Sequence, residues 1–324
     1  MRTVLLVGGG HAHVALLRRP ALDARVVLVT PTMSSLYSGL LPAVIRRERT
    51  LASASLDLGA FAGVEVVLGT VKALDPVACV ALLGTGQVVG FNLASLDPGG
   101  VSATVAGEIP AKPIGELPGH VEAIENGPSG TVALEGGGPA AVELALALAD
   151  RWHGTRAVRL TAPTLLADAP AKARRALVAA LKRSGVLLGP GPAVATIASG
   201  RTLGPPWLAR SGLACDEAGC VRVDASLRSV SHPHVLAAGD AAAVDGEARP
   251  KGGVWAVRAG PTLAATLAAL LAGREPPARP PQRSALTIVG LGGGRAVGWR
   301  GGVTLTGRLP YLLKDWLDRR WLAG

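Results

Sequence analysis

The sequence predicts an α/β protein with two domains, each built around a parallel sheet. Two glycine-rich loops carry this prediction, because each follows a short apolar strand and precedes a helix rich in alanine and leucine. The loops are residues 4–13, VLLVGGGHAH, and residues 132–141, VALEGGGPAA. A chain of 324 residues has the length of about two domains, which agrees with one loop in each.

Composition and charge exclude several classes of protein. With 49% hydrophobic and 17% charged residues, the chain is typical of globular proteins. The net charge of +10 raises nucleic acid as a partner, but the basic residues are spread along the chain without a nucleic-acid-binding motif, so none is expected. Three cysteines without a C-x-x-C pair, and the lack of a secretory signal, favour the cytoplasm. The longest uncharged stretch, 259–273, is too short for a transmembrane helix.

The first loop has the features of a nucleotide-binding turn. The pattern predicts a strand over 4–7, a helix over 13–19 and a second strand over 25–29. A helix that starts at glycines offers unsatisfied backbone N–H groups and a positive dipole end, which suit a pyrophosphate. His13 stands in the place of the third glycine of the motif, and Thr30 stands where an acid for the adenosine ribose is expected.

The second loop repeats this design. Its helix is predicted from Pro139 to Trp152, and proline suits the first helical position because its missing N–H would have no partner there. Ala141 fills the third-glycine position, Glu143 follows near the first turn, and Thr161 ends the next strand without supplying an acid. Two such turns predict two dinucleotide sites, and hence a protein that passes electrons between two nucleotide cofactors.

The remaining segments complete the predicted topology. A strand and a meander are predicted over 64–68, 77–83 and 88–93, and helices over 171–183 and 260–271. An apolar strand turns through Gly239 and Asp240, and a hairpin is predicted around Gly301.

Several longer motifs resemble one family of flavoproteins. The order of the motifs resembles the FAD-dependent pyridine nucleotide-disulfide oxidoreductase superfamily. The closer resemblance is to the clade similar to type II NADH dehydrogenases and to the flavoprotein associated with selenophosphate synthetase. The segments that carry it are 8–14 (GGGHAHV), 36–42 (LYSGLLP), 112–114 (KPI), 238–242 (AGDAA), 251–261 (KGGVWAVRAGP) and 313–320 (LKDWLDRR).

The resemblance implies two Rossmann-like dinucleotide-binding domains, each a three-layer ββα sandwich, with a small C-terminal α+β tail. The FAD-binding domain is expected to be discontinuous, formed by residues 1–112 and 225–280. The NAD(P)-binding domain is expected over 113–224, and a hairpin with an amphipathic helix over 281–324. The second domain is expected to be shortened, because the family's β-meander and Ala-Thr-Gly strand are expected to be collapsed around 193–208.

The resemblance also implies roles for individual residues. The FAD pyrophosphate and adenosine would be bound by the first loop and the end of the next strand, through Gly8, Gly9, Gly10, His11, His13 and Thr30. Asp240, with Gly239, would hold the ribityl chain. The isoalloxazine would lie near Tyr37, Pro42, Lys251, Gly253 and Val254. NAD(P)H would be bound by Gly136, Gly138 and Ala141, with Glu143 and Lys251 as the catalytic residues. No metal site is expected, because His11 and His13 lack further ligands nearby.

The implied activity is hydride transfer from NAD(P)H to FAD and electron delivery to a small-molecule acceptor, of which a quinone is the first to test. The shortened second domain predicts poor NAD(P)H binding. Two alternatives stay open at this point. One is a flavin-binding partner of selenophosphate synthetase without NAD(P)H turnover of its own, and the other is a nucleotide-binding module without a redox role.

The final segment, 309–322, gathers apolar side chains on one helical face and basic side chains on the rest. The apolar residues are Leu309, Leu312, Leu313, Trp316, Leu317 and Trp321. This pattern suits docking on the protein's own core or on a second copy, or shallow insertion into an anionic bilayer. The expectation is a cytoplasmic protein, with a peripheral contact on the inner face of the membrane and a homodimer both left open.

Overall fold

The computed structural model describes residues 1–247, 250–280 and 284–324. By compactness the chain divides into two units, each assembled from three separate segments. The first unit comprises Met1–Ser35, Leu56–Val101 and Thr202–Arg283, and the second comprises Leu36–Ser55, Ser102–Arg201 and Ser284–Gly324.

The strands follow in chain order as β1 (Thr3–Val7), β2 (Arg25–Thr30), β3 (Ser34–Leu36), β4 (Ser55–Asp57), β5 (Val64–Leu68), β6 (Val71–Asp75), β7 (Val80–Leu83), β8 (Val88–Gly90), β9 (Leu93–Leu96), β10 (Val101–Ser102), β11 (Ile109–Pro110), β12 (Val132–Glu135), β13 (Val158–Thr161), β14 (Leu187–Leu188), β15 (Ala195–Ala198), β16 (Thr202–Leu203), β17 (Val221–Val223), β18 (Val235–Ala237), β19 (Ala242–Val244), β20 (Thr287–Gly292), β21 (Arg295–Arg300) and β22 (Val303–Gly307).

The α-helices are α1 (His11–Leu17), α2 (Leu41–Ile45), α3 (Leu117–Glu125), α4 (Pro139–Arg151), α5 (Ala171–Arg183), α6 (Pro206–Ala209), α7 (Gly253–Leu271) and α8 (Arg308–Ala323). Short 3-10 turns lie at Ser38–Leu40, Ala52–Ala54, Leu58–Ala60 and Gly239–Ala241.

The first unit is built on a five-stranded parallel sheet in the order β18-β9-β1-β2-β5. Its central strand β1 is a continuous apolar run with Val4, Leu5 and Leu6 fully buried, as expected of a parallel strand covered on both faces. Strands β6, β7 and β8 form a separate antiparallel sheet. Together with α1 and α7, these two sheets supply the components of the predicted ββα arrangement.

The predicted meander is present, but its strands lie elsewhere than expected. Val77, predicted inside a strand, lies in a turn between β6 and β7 and is 83% exposed. Leu93, predicted to end the meander, instead begins β9, which pairs with β1 in the parallel sheet. The apolar run after Gly90 therefore belongs to the core of the unit and not to the meander.

Helix α7 begins at Gly253, seven residues before the predicted start at Gly260, and Pro261 lies inside it. It packs along α1 so closely that a Cβ atom on Gly260 would overlap Ala15. The 19 residues make α7 the one helix among the described residues that is long and apolar enough to cross a membrane. Length and composition alone support that statement, and a helix packed in a protein core meets the same criteria.

The second unit contains its own five-stranded parallel sheet, in the order β11-β15-β12-β13-β14. Helices α4 and α5 lie close to their predicted bounds, since α4 ends one residue early and α5 matches. The expected loss of the Ala-Thr-Gly strand is wrong. Residues Ala195–Ala198 form β15, which pairs in parallel with β12 and is followed by Gly200. Within the described residues the meander is missing, because six residues separate β14 from β15.

The C-terminal segment is part of the second unit and has more structure than the predicted hairpin. Its turn at Gly301–Gly302 joins β21 to β22, and β20 adds a third antiparallel strand. Val289, Val297 and Trp299 of this sheet belong to one buried cluster with Leu144 and Leu148 of α4. The sheet covers α4, so the tail is not an independent unit.

The two compact units differ from the predicted domains at their boundaries. Residues 36–55 and 102–112 fall in the second unit, and residues 202–224 fall in the first. Compactness does not show which ligand a unit binds, so the assignment of FAD and NAD(P)H to domains stays a prediction.

Candidate functional site

The first glycine loop joins β1 to α1, and a Cβ atom on any of its three glycines would come within 3 Å of another protein atom. Gly8 has a φ of +89°, and a Cβ atom there would lie 2.5 Å from the carbonyl oxygen of Asp97. A Cβ on Gly9 would lie 2.5 Å from Leu58, and one on Gly10 would overlap the Asp97 carboxylate. The helix that follows begins at His11, two residues earlier than predicted. The predicted strand, turn and helix are all present in the order that a dinucleotide site needs.

His13 occupies the third-glycine position and is packed between α1 and the sheet. Its ring is fully buried, with Nδ1 2.6 Å from the carbonyl oxygen of Gly8 and Nε2 2.9 Å from the hydroxyl of Ser95 on β9. Burial lowers the pKa of His13, while Asp97 and the Gly8 carbonyl oppose that effect. The motif normally uses glycine here for close packing of helix on strand. Ser95, a small residue on β9, leaves room for the His13 ring. Through its two ring nitrogens, His13 connects the glycine loop to the sheet.

Asp97, which sequence analysis did not select, is the residue that organises this loop. It directly follows β9, is 2% exposed, and accepts hydrogen bonds through Oδ2 from the backbone N–H groups of Ala12 (2.8 Å) and His13 (3.3 Å). A Cβ on Gly239 would also overlap its carboxylate. The one available signal was an aspartate immediately after a buried strand that pairs with β1. A buried carboxylate thus contacts two of the predicted motifs.

The Gly239–Asp240 turn follows β18, as the sequence predicted. Gly239 has a φ of +62°, which glycine adopts without strain, and Asp240 lies in the 3-10 turn after it. The carbonyl oxygen of Asp240 accepts a hydrogen bond from the buried Cys220 thiol at 3.3 Å. The first unit therefore brings the glycine loop and the Gly-Asp turn together at Asp97.

Thr30 ends β2 beside the loop, where the motif places its ribose-binding residue. It is buried, and its hydroxyl donates to the carbonyl oxygen of Thr32 at 3.1 Å. A Cβ on Gly9 would lie 3.5 Å from the Thr30 hydroxyl. Ser35, which sequence analysis did not select, donates its hydroxyl to the carbonyl oxygen of Gly9 at 2.6 Å.

Lys251 lies beside the Gly-Asp turn. Its ammonium donates to the carbonyl oxygen of Ala242 at 2.6 Å and also hydrogen-bonds the Cys220 thiol, whose pKa is raised chiefly by burial. A cavity of about 190 Å³ is lined by Lys251, Gly239 and Trp255, among others. Gly253 and Val254 form the first turn of α7, before the predicted helix start at Gly260. Their contact with the isoalloxazine stays a prediction.

The second glycine loop joins β12 to α4 in the second unit. A Cβ on Gly136 would lie 2.7 Å from the carbonyl oxygen of Ser199, and one on Gly137 would overlap Thr164. A Cβ on Gly138 would meet no described atom within 4 Å, and its φ of −81° is open to any residue. Ala141 is buried under the loop, as expected of the third-glycine position. Gly138 is thus the one loop glycine that packing does not require.

Glu143 projects from α4 and is held by the C-terminal sheet. Its Oε1 accepts the backbone N–H of Gly290 on β20 at 2.7 Å, and a Cβ on Gly290 would approach that oxygen to 2.9 Å. Burial raises the pKa of Glu143, against the opposing effects of Lys314, the Gly290 N–H and Arg46. A carboxyl group with a raised pKa is suited to exchanging protons. The predicted catalytic role stays a prediction.

Two segments that carried the family resemblance, 36–42 and 313–320, meet in the second unit. The Lys314 ammonium lies 2.6 Å from the carbonyl oxygen of Gly39 and 2.7 Å from the buried Asp318 carboxylate. Tyr37 hydrogen-bonds Asp318, and its ring lies 5.6 Å from that of Trp321. Burial and Asp318 together raise the pKa of Tyr37 well above its usual range.

Pro42 is buried in the first turn of α2. Tyr37 and Pro42 are thus part of the packing of the second unit, where Tyr37 helps to hold α8. Their predicted position beside the isoalloxazine stays a prediction.

The apolar face of α8 points outward. Leu309 is 75% exposed, Trp316 52% and Leu312 47%, whereas the helix packs through Pro310, Lys314 and Asp318. Docking of the apolar face on the protein's own core is therefore wrong for these residues, although Trp321 does pack on Tyr37. The guanidinium of Arg320 lies 5.3 Å from the Trp316 ring, so positive charge borders the exposed face.

A larger cavity, of about 760 Å³, lies in the second unit between residues 44–51 and 115–122. It contains both arginines and glutamates and none of the predicted site residues. The Arg151 guanidinium at its edge is paired with Glu125 at 2.7 Å, so that charge is already compensated.

Comparison with known proteins supports the fold. No protein-family model matches the chain, and no curated protein sequence matches it. Solved structures do match. The sulfide:quinone oxidoreductase of the hyperthermophilic bacterium Aquifex aeolicus has a TM-score of 0.75 at 15% identity, over 99% of this chain and 90% of that one.

Two further solved structures agree with this match. Putidaredoxin reductase, in its covalent complex with putidaredoxin, has a TM-score of 0.71 at 15% identity, over 99% of this chain and 93% of that one. The NAD-dependent persulfide reductase of A. fulgidus has a TM-score of 0.72 at 17% identity, over 92% of this chain and 64% of that one. The chain shares the fold of these oxidoreductases. The predicted α/β fold with two Rossmann-like units is confirmed, and at this identity the match concerns the fold alone.

Proposed function

We propose that the protein is an FAD-dependent oxidoreductase that accepts a hydride from NAD(P)H and passes electrons to a small-molecule acceptor. The observation that carries this proposal is the presence of two glycine-loop units in one chain, each joining the central strand of a parallel sheet to a helix. The proteins that share the fold include a sulfide:quinone oxidoreductase, a putidaredoxin reductase in complex with putidaredoxin and an NAD-dependent persulfide reductase.

The residues of the first unit fit FAD. Gly8, Gly9 and Gly10 form a narrow backbone turn, Thr30 ends the neighbouring strand, and Asp240 follows a left-handed glycine at the same loop. These are the positions that a dinucleotide site uses for the pyrophosphate, the ribose and the polar chain of the cofactor. FAD, when bound, supplies the redox chemistry, and the protein supplies binding and orientation.

The residues of the second unit fit NAD(P)H better than the sequence indicated. The Ala-Thr strand is present as β15, and Gly138 faces open space at the start of α4, which allows a ligand to approach the backbone. Of the two features that predicted poor NAD(P)H binding, the loss of this strand is thus overturned, whereas the loss of the meander stands. In this proposal Glu143 and Lys251 act beside the cofactors as proton-exchanging and positioning groups.

The test is spectroscopic. The purified protein should be yellow, release FAD on denaturation, and lose its flavin absorbance when NADH or NADPH is added without oxygen. Gly138→Trp, which fills the open space at the second loop, should keep the colour and abolish bleaching. A colourless protein that takes up no FAD overturns the proposal. A yellow protein that no nicotinamide bleaches instead supports the partner of selenophosphate synthetase.

We further propose that the acceptor is a quinone. The protein would be cytoplasmic and would reach the quinone by binding to the inner face of the membrane. The support is the exposed apolar face of α8 and its basic border, which match an anionic bilayer in chemistry. Leu305 and Val303 of β22 add exposed apolar surface, at 56% and 68%.

Flotation with vesicles of anionic phospholipid tests this membrane contact. Leu312→Glu with Trp316→Glu should reduce the bound fraction about tenfold, because two charges would enter the apolar interface. The matched control is Val77→Glu with Val88→Glu, which changes exposed apolar residues of the first unit at 83% and 59% exposure. Equal binding of both variants, or flotation unchanged from the natural sequence, contradicts the proposal.

A further inference from the structure

The segment that follows β13, residues 162–170, packs directly on the second glycine loop. The backbone N–H of Leu166 donates to the carbonyl oxygen of Gly137 at 2.6 Å, and a Cβ on Gly137 would overlap the carbonyl oxygen of Thr164. Leu166 is buried and has a φ of +54°, a left-handed backbone that residues other than glycine rarely adopt. A nucleotide bound at the second glycine loop therefore has this segment as its neighbour.

The two units have the same register where the glycine loop meets the next strand of its sheet. In the first unit, the N–H of Gly8 donates to the carbonyl oxygen of Val29 on β2 at 2.8 Å. In the second unit, the N–H of Gly136 donates to the carbonyl oxygen of Thr161 on β13 at 3.0 Å. The residue directly after each acceptor therefore occupies the same position in the motif.

This position is Thr30 in the first unit and Ala162 in the second. Thr30 lies against the middle glycine of its loop, because a Cβ on Gly9 would be 3.5 Å from its hydroxyl. Ala162 does the same, because a Cβ on Gly137 would be 3.1 Å from its own Cβ. Dinucleotide sites place here an acidic residue that hydrogen-bonds the ribose 2′-hydroxyl of NAD. Ala162 provides no such acceptor, and no negative charge that would repel a 2′-phosphate.

The Arg174 side chain brings positive charge to the same segment. Its guanidinium donates through Nε to the carbonyl oxygen of Leu166 at 3.2 Å. Through Nη2 it donates to the carbonyl oxygens of Ala167 at 2.9 Å and Ala169 at 3.4 Å. All three acceptors are uncharged, and no carboxylate among the described residues forms an ion pair with Arg174. These bonds hold the guanidinium against the segment without neutralising it.

The residues around Arg174 add to this charge. Lys172 and Arg175, also near the start of α5, are exposed, and Asp168 is the one acidic residue of the sequence over 161–175. Arginine is the side chain that accommodates the 2′-phosphate of NADP in dinucleotide sites. The segment beside the second glycine loop therefore favours an anionic group over a hydroxyl.

We propose that the hydride donor is NADPH and not NADH, and that the segment over 162–175 selects it through its 2′-phosphate. This rests on the proposed function, and it names the nucleotide of the second unit. The hydride transfer itself is unchanged. Two electrons and one proton leave NADPH, which becomes NADP⁺, and FAD takes them up together with a proton from solvent. Arg174 supplies the positive charge, and Ala162 leaves the ribose position free of negative charge.

Direct binding isolates the 2′-phosphate from the rest of the nucleotide. The probes are adenosine 2′,5′-bisphosphate and AMP, which differ only in that phosphate, titrated calorimetrically into full-length protein saturated with FAD. Saturation with FAD fills the first unit, so that the probes report on the second. The bisphosphate should bind about tenfold or more tightly than AMP, because it gains a charge-assisted contact.

Flavin bleaching without oxygen gives a second readout. Stopped-flow traces at increasing NADPH or NADH yield an apparent dissociation constant and a limiting rate for each nucleotide. The apparent dissociation constant should be lower for NADPH by about tenfold or more. The limiting rates should be similar, because the nicotinamide ends of the two nucleotides are identical.

One pair of variants tests the ribose position. Ala162→Asp restores the missing acid and should weaken binding of the bisphosphate by about tenfold or more, while AMP binding changes little. Ala162→Asn, of the same size and without charge, is the matched control and should keep the preference for the bisphosphate within about threefold of the natural sequence.

A second pair tests the positive charge. Arg174→Gln should weaken binding of the bisphosphate by about fivefold or more and leave AMP binding nearly unchanged. Arg183→Gln removes an exposed arginine at the other end of α5 and is the matched control. If Arg174→Gln does not fold, the two Ala162 variants still decide the question.

Failure of this inference differs from failure of the proposed function. Flavin that neither nucleotide bleaches means that the proposed function has failed. Flavin that NADH and NADPH bleach at equal apparent affinity, or a bisphosphate that binds no more tightly than AMP, overturns only the selection of NADPH. An undiminished preference in Ala162→Asp also overturns it, because the segment after β13 would then not contact the 2′-phosphate.

Discussion

The two glycine loops have almost the same sequence pattern but differ in what their glycines are for. In the first loop, a Cβ on Gly8 would overlap backbone atoms and one on Gly10 would overlap the buried Asp97 carboxylate, whereas one on Gly9 would meet only the end of the Leu58 side chain. In the second loop, Gly138 faces open space, so packing gives no reason for glycine there. A motif match therefore does not distinguish a glycine that the fold requires from a glycine that a ligand requires.

The two loops differ because a different side chain supports each of them. Asp97 fills the space beneath the first loop and fixes Gly10, whereas the second loop has no carboxylate in the corresponding role among its described contacts. The second unit instead places Glu143 one helical turn further on, where β20 binds it. The first loop is organised by a charge from its own sheet, and the second is supported by the C-terminal sheet.

The strongest test of this comparison exchanges glycine for alanine in both loops. Gly10→Ala should lower the free energy of unfolding by about 2–4 kcal/mol, because the methyl group displaces a buried, hydrogen-bonded carboxylate. Gly138→Ala should change it by no more than about 0.5 kcal/mol, since nothing described lies within reach. Urea unfolding of the FAD-free chain measures both. Similar losses in the two variants would show that the loops do not differ in this way.

A second test makes the third-glycine positions alike. His13→Ala gives the first loop the residue that Ala141 provides in the second. It should cost about 2–3 kcal/mol, because it leaves a cavity and removes the contacts with Gly8 and Ser95. Ser95→Ala, which removes one of those contacts without a large cavity, should cost about 1 kcal/mol. Thermal unfolding of the two variants should show this order, and the reverse order would mean that His13 does not bridge the loop to the sheet.

The smallest expected effect concerns the charge of Glu143. Its folded-state pKa is raised, so the folded protein holds the proton more tightly than the unfolded chain does. The stability that results is present below the unfolded pKa and is lost as the pH rises through the folded pKa. Glu143→Gln should therefore gain stability relative to the natural sequence as the pH rises, by about 1.4 kcal/mol for each unit of the pKa shift.

Unfolding curves between pH 4 and pH 8 measure this difference. Glu122→Gln, which changes an exposed glutamate on α3 of the same unit, is the matched control. If the difference in unfolding free energy between the natural sequence and Glu143→Gln stays constant with pH, burial does not raise the pKa of Glu143. Flavin reduction by NADH in the same variant tests its predicted catalytic role separately.

Much of each unit could be predicted from local pattern. Strand β1, helix α4 and helix α5 lie close to the expected bounds, because apolar periodicity, a proline start and glycine turns act over a few residues. The start of α7 was predicted too late for a local reason, since Gly260 and Pro261 are typical helix breakers. Packing of α7 on α1 outweighs the helix-breaking tendency of these two residues. Glycine at position 260 also lets Ala15 approach closely, because a Cβ atom there would overlap it.

Pairings between distant residues could not be predicted. Asp97 lies 85 residues from Ala12, and Lys314 lies 275 residues from Gly39. The outward orientation of the apolar face of α8 follows from the second of these contacts, since the helix is fixed through its polar side. An amphipathic pattern shows that a helix has two faces, but it does not show which of them the protein covers.

The sequence by itself determined the fold class, the two strand-loop-helix turns and the order of the motifs, because these follow from the spacing of neighbouring residues. The tertiary structure decided which side chains meet at those turns. It placed Asp97 against Gly10 and Gly239, retained β15 beside β12, and joined the C-terminal sheet to α4. The physical reason is that burial and hydrogen bonding act between any residues that the fold brings into contact, whatever their separation in the chain.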